Sequence, residues 1–176
     1  MRYISPARVA LTLTLACLAG CGRSPEPPPS TIQPIDIAAL QTVLPQVDGW
    51  TRSKPTGERM TRPVRYAHVT ARYSKADAEI EAKLTDSATN AQLLAPLTWM
   101  TNTSYARTTA DGFERAASIE GYPGFETWNA TAKTGEVDVV VDRRFIVEVE
   151  GRQVADLADL RTFLARVDLH ALVARK

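Results

Sequence analysis

AHVTARYSKADAEIEAKL, residues 67–84, alternates apolar and polar residues through two runs separated by a short loop-like stretch. Ala67, Val69, Ala71 and Tyr73 share one face of the first run, while His68, Thr70 and Arg72 share the other. In the second run Ala78, Ile80, Ala82 and Leu84 alternate with Glu79, Glu81 and Lys83. A period of two over both runs predicts half-buried antiparallel strands. Keeping like faces together with a loop at Ser74–Asp77 predicts the pairs Tyr73–Ala78, Ala71–Ile80 and Val69–Ala82. That register sets Arg72 opposite Glu79 on the wet face. Glu79 and Glu81 are two carboxylates on one face, but an acid/base pair for glycoside chemistry flanks a bond in a cleft, with each carboxyl in a different environment. A solvated strand face is the simpler reading.

Towards the C-terminus the patterning continues. Asp86-Ser87 ends the second strand and is expected to cap the next element, a helical stripe of Leu93, Leu94, Leu97 and Met100 that Pro96 forces to start late or to kink. Thr101–Asp111 is polar and unpatterned and reads as the longest loop. Phe113, Ala117 and Ile119 point inward from the next strand, with Arg115 out of pattern. Tyr122-Pro123-Gly124-Phe125 fits a type II turn, with Pro second and Gly third. Trp128, Ala130 and Ala132 then face in on the returning strand. Thr134-Gly135 makes a tight turn into Val137, Val139 and Val141, and a three-residue loop, Asp142-Arg143-Arg144, leads to Phe145, Val147 and Val149. Gly151 closes the sheet. A helix over about Val154–Val167 carries Leu157, Leu160 and Leu164, and Asp168 caps a final turn.

On the N-terminal side, Ser53–Gly57 reads as loop and Trp50, after the Asp48-Gly49 turn, opens a short strand. A helix is expected from Pro34 and Asp36, with Ile37, Leu40 and Leu44 on one stripe and Pro45 ending it. The expected order is α-βββ-α-ββββ-α: an α+β domain over residues 35–176, with an antiparallel sheet of six to seven strands built from hairpins and covered by helices. This element order, with Trp50 after Gly49, resembles the PsbP-like sandwich over roughly Ile35–Ala174. That fold also occurs among small bacterial lipoproteins.

The first 34 residues belong to another class of sequence. Arg2 and Arg8 precede a short run, Val9–Leu18, apolar except for Thr12 and Thr14, and small residues then precede Cys21. The run is well short of the roughly 20 residues that span a bilayer. Leu18-Ala19-Gly20-Cys21 resembles the lipobox of bacterial lipoproteins. The resemblance implies a signal peptide over residues 1–20, cleavage before Cys21 and lipidation of Cys21. Gly22, where an Asp would favour inner-membrane retention, implies the outer membrane with the domain facing the periplasm. Residues 21–34 hold the anchor and a Pro-rich tether, extended at about 3.1 Å per residue where polyproline-like.

Removing 20 of 176 residues leaves 156, and removing two of 21 basic residues leaves 19 against 20 acidic, a formal charge of −1. Near-neutral balance gives no electrostatic reason to expect nucleic acid as a partner. Cys17 leaves with the signal and Cys21 takes the lipid, so no disulfide or thiolate metal site is expected. His68 and His170 are the only histidines and are isolated in sequence, which argues against a metal site of three or four ligands. Eight serines occur, none in GxSxG or SxxK, and no Gly-rich phosphate loop is present. No cofactor is expected. The functional expectation is an envelope lipoprotein held at the membrane by its lipid, a non-catalytic binding or assembly module with an envelope protein as partner. The alternative is a periplasmic hydrolase assembled from scattered His, Ser and acidic residues. A binding surface is expected around Tyr105, Tyr122 and Phe125, with the Arg143-Arg144 pair as an anion site or simply as a solvated hairpin tip.

Overall fold

A computed structural model describes residues 31–97 and 104–175. The chain enters through a short helix, α1 (Ile37–Gln41), capped by the Asp36 carboxylate, which accepts from the Ala38 N–H at 2.9 Å. Strands β1 (Thr51–Arg52), β2 (Thr56–Met60), β3 (Tyr66–Lys75) and β4 (Ala78–Asp86) follow, then α2 (Ala91–Leu94). A second run, β5 (Ala106–Thr108), β6 (Gly112–Ile119), β7 (Tyr122–Asn129), β8 (Thr134–Val141) and β9 (Phe145–Arg152), leads to α3 (Leu157–Leu164) and α4 (Leu169–Val173).

Among the described residues these nine strands form one antiparallel sheet, in the order β1-β3-β4-β9-β8-β7-β6-β5, with β2 also on β3. The α+β class holds. The strand count exceeds the expected six to seven, and two short helices rather than one close the chain. The crossover through α2 carries the chain from the middle of the sheet to its far edge. The β5–β9 meander then works back until β9 docks on β4.

Both extra strands are at edges. β1 pairs with Tyr73 and Ser74, and β2 with Tyr66 to Thr70, so they are two pieces of one edge. Ser53 bridges them: its N–H donates to the Arg72 carbonyl at 2.8 Å, and its Oγ accepts from the Arg72 N–H at 3.0 Å. Pro55 then interrupts the ladder, which only an edge strand tolerates. β5, at the other edge, lies in the stretch expected to be loop.

The central hairpin is two residues tighter than expected. Ala76-Asp77 alone form the turn, and the pairs are Tyr73–Ile80, Ala71–Ala82 and Val69–Leu84. A shift of two keeps each side chain on its predicted face, which is why alternation could not distinguish the registers. Arg72 is now opposite Glu81, with Nε 2.8 Å from Oε2, and Glu79 lies 3.9 Å away.

Two other turns are relocated. The β6–β7 turn is Glu120-Gly121, both at positive φ (51° and 84°), the twist-matched geometry of a two-residue hairpin. Tyr122–Phe125 therefore opens β7 instead of turning. Pro123 pairs with Ser118, just before β8 pairing begins at Gly124, so its missing N–H costs no ladder bond on that side. The β7–β8 turn is residues 130–133, leaving Ala130 and Ala132 exposed and Thr134-Gly135 inside β8. The three-residue loop 142–144 is as predicted, joining Val141 to Phe145. Helix α2 begins at the Asn90 cap and ends before Pro96, while Asp86 is drawn into the core.

The main core lies between one sheet face and helices α1, α3 and α4. Val69, Tyr73, Ile80, Leu84, Val137, Val139, Val147 and Val149 meet Leu40, Leu160, Phe163, Leu164 and Leu172. A smaller cluster covers the outer face, where Phe125 and Val140 pack with Leu94 and Leu97. No helix among the described residues is long and apolar enough to cross a membrane.

Candidate functional site

Helix α3 crosses β8 and β9 and leaves the helix-side face of β6 and β7 partly uncovered. The rows of side chains there follow from register. Phe113, Trp128 and Gly135 form one row, Arg115, Glu126 and Val137 the next, and Ala117, Gly124 and Val139 the third. In the third row Ala117 leaves room on the groove side, while the space above Gly124 is taken by Ile119. Gly124 accepts no side chain: a Cβ there would lie 2.6 Å from the Asp138 carbonyl and 2.7 Å from Ile119 Cδ1. The result is a groove of about 570 Å³ between β6 and the end of α3, with Ala117, Ile119, Val137 and Leu164 among its walls.

Charges occupy one end of this groove. Glu126 points into the helix-side face and is 4 % exposed. Arg161 of α3 grips it with Nε 2.6 Å from Oε1 and Nη2 2.7 Å from Oε2. Arg115 of β6 reaches Oε2 with Nε and Nη2, each at 3.0 Å. Its guanidinium also lies over the Phe113 ring, 4.7 Å from the centroid. Burial alone pushes the Glu126 carboxyl up, but hydrogen bonds from Arg161 and then Arg115 outweigh it and hold the group below the usual carboxylate range. One carboxylate between two guanidiniums leaves a formal charge of +1. Arg161 spends two of its five N–H donors on Glu126 and Arg115 one, and both stay about half exposed, so this end of the groove has further donors for an anion.

The outer face carries a different cluster. Register places Asp138 opposite Glu148 and Glu136 opposite Glu150, with Lys83 beside Glu148 at 3.0 Å. Asp138 is 6 % exposed and its Oδ1 has no hydrogen-bond partner. Burial first, then the charges of Glu136 and Glu148, push its carboxyl up to about 8. Glu136 is raised for the same reasons, burial and then Glu148 and Glu150. These surroundings favour the protonated form of Asp138. Among the described residues, no group of three or more His, Cys, Asp or Glu is arranged to hold a metal ion.

The residues singled out from sequence do not form one surface. Tyr105 and Phe125 meet on the outer face, ring centroids 5.7 Å apart, and the Tyr105 hydroxyl donates to Glu114 at 2.9 Å. Phe125 is buried. Tyr122 faces the opposite side, 6.3 Å from the His170 ring. Arg143 is exposed, but Arg144 is not a solvated tip residue. It is buried and bidentate on Asp86, with Nε and Nη2 each at 2.8 Å, and its Nη2 also donates to the Gln33 carbonyl. The cause is register: Asp86 pairs with Phe145, which brings its carboxylate under the loop. His68 stands on the outer face beside Glu58, 3.9 Å from its carboxylate. Leu18, Ala19, Gly20 and Cys21 lie outside the described residues.

Arg115, Glu126 and Arg161 were not singled out as a site, although the sequence held the signal. Arg115 breaks its strand's alternation, and Glu126 shares the parity of Trp128, which faces in. No family model matches the chain, and no curated protein or solved structure is significantly similar to it.

Proposed function

We propose that this protein is a lipid-anchored, non-catalytic binding module of the bacterial envelope, with the groove between β6 and α3 as its binding site. The observation that supports the binding reading is the Arg115–Glu126–Arg161 triad, which places a net positive charge beside an uncovered hollow. The stretch Leu18–Cys21 supports the anchoring reading, with Cys21 as the lipidated residue and Gly22 directing the protein to the outer membrane. In this reading Gln33–Ile35 mark where the tether joins the domain. The Gln33 carbonyl is held by Arg144, and the Ile35 N–H donates to Asp86 at 2.8 Å.

Two measurements test it. Mass spectrometry of membrane-extracted protein should find an acylated N-terminal Cys21, and Cys21→Ser should leave the membrane fraction after carbonate washing. Retention of Cys21→Ser overturns the anchor. Complementation of a deletion strain separates module from hydrolase. Ala165→Trp, which fills the groove from its exposed wall, should fail to complement, while His68→Ala and His170→Ala should succeed. The reverse pattern favours the periplasmic hydrolase.

A further inference from the structure

We propose that the β6–α3 groove binds an anionic amphiphile: a carboxylate or phosphate head on the Arg115/Arg161 pair, and a short apolar body along Ala117, Ile119 and Leu164. This deepens the binding reading above and rests on it. The charge pattern carries the head-group assignment. Glu126 neutralises one of the two guanidiniums, and beyond the N–H groups they spend on the carboxylate Arg161 keeps three donors and Arg115 four. An arginine fork suits the planar or tetrahedral oxygens of such a head, and charge-assisted bonds of this kind are the strong ones.

The remaining lining carries the apolar body. Beyond the triad the walls are Ala116, Ala117, Ile119, Val137, Leu164 and Ala165, with Ser118 as a small polar interruption. A small hydrated anion leaves these walls unused, and a neutral apolar molecule leaves the arginine donors unanswered. Glu120, in the hairpin turn, closes the far end. Arg115 and Glu120 are five strand positions apart, about 16 Å at the usual rise. Only one anionic head is therefore accommodated, at the arginine end. The Ser118–Glu120 end is also the end of the sheet where Gln33 is tied down, so under the lipid-anchor reading the apolar body points towards the membrane. A free carboxylate and a lysolipid phosphate share this chemistry.

Site-resolved NMR on the full chain tests it, reading the Arg115 and Arg161 side-chain Nε–H resonances during titration with hexanoate, hexyl phosphate, inorganic phosphate and 1-hexanol. Both resonances should shift saturably with hexanoate and hexyl phosphate, at concentrations about ten-fold lower than for inorganic phosphate or hexanol. The tighter of the two amphiphiles identifies the head group. Ala165→Trp, one helical turn from Arg161, should weaken both by about ten-fold or more because it fills the hollow, while the Arg115 Nε–H resonance of the free protein stays that of a guanidinium bound to Glu126. Arg161→Gln should weaken both as well. Inorganic phosphate acting as strongly as hexyl phosphate shows a bare anion site and overturns the proposal. Hexanol acting as strongly shows unselective apolar contact, and no response to any probe shows that the triad only ties α3 to β7; either result overturns it too. None of these readouts depends on Cys21 acylation or on complementation, so failure here is distinct from failure of the module reading.

Discussion

Asp138 is the residue whose chemistry its surroundings alter most. A carboxyl raised to about 8 in the fold and near 3.9 in the unfolded chain keeps its proton in the native state after the unfolded state has lost it. Its contribution to stability is therefore most favourable below pH about 4, falls as pH rises towards 8, and falls no further above that. Asp138→Asn should flatten the decline in Tm between pH 5 and 8 and raise stability at pH 8 by about 1–3 kcal/mol, by removing a poorly satisfied buried acid. An unchanged pH profile would show that Asp138 does not titrate in this window. Glu126 acts in the opposite window: its lowered carboxyl contributes above the unfolded value, near 4.3, and that contribution is lost on acidification. The second residue-scale test is Arg144. Asp86 is fully buried, so Arg144→Ala leaves an uncompensated carboxylate and should cost about 3–5 kcal/mol in chemical denaturation. Neither environment could be read from residue type: an Asp in an alternating strand looks solvated until the elements around it are placed.

Helix α3 shows how elements choose their seats. Gly135 and Gly151 are directly opposite on β8 and β9, and a Cβ on either would lie 3.3 Å and 2.5 Å, respectively, from the Leu160 methyl groups. Two absent side chains in adjacent strands thus make the socket that receives Leu160. Leu160→Ala should cost about 2–5 kcal/mol by emptying that socket. Gly151→Ala should cost about 1–3 kcal/mol by overpacking it. In the double variant the costs should be less than additive by equilibrium unfolding, because the smaller side chain makes room for the new Cβ. Strict additivity would mean that the two do not share the socket. At this scale the sequence was partly legible. The α3 stripe, the Asp168 cap and the 142–144 loop follow from local periodicity and capping chemistry. The turn at 122–125 was misplaced because Pro-Gly satisfies turn statistics locally. The strand face that needed Gly124, and the positive φ that Gly121 supplies, are set by the neighbouring strands.

At the scale of the whole molecule, the sheet has two distinct ends. The loop 142–144, the turn 120–121 and the Gln33–Ile35 attachment share one end, and the turns 76–77 and 130–133 share the other. Under the lipid-anchor reading, residues 21–34 join the membrane to the domain at Gln33–Ile35, so the first end should lie nearer the membrane. A fluorophore at Arg143→Cys should be quenched by brominated lipids more strongly than one at Thr131→Cys in the lipidated protein, and equal quenching would refute this orientation. What the sequence determined by itself is what depends on neighbours along the chain: strand and helix faces from periodicity, the helix caps, the antiparallel α+β class, and the expectation of a lipobox at Leu18–Cys21. What only the tertiary structure decided is what depends on partners far along it. The two-residue shift of the central hairpin preserves every face and so is invisible to patterning. The edge strands β2 and β5 take their order from the strands they pair with. The burial of Asp86 with Arg144, 58 residues apart, and the meeting of Arg115, Glu126 and Arg161 from three elements arise only when the sheet closes and α3 comes down on it. Charge pairing at such separations is set by the packing of elements, and packing is fixed by the sum of many weak contacts that no single stretch of sequence contains.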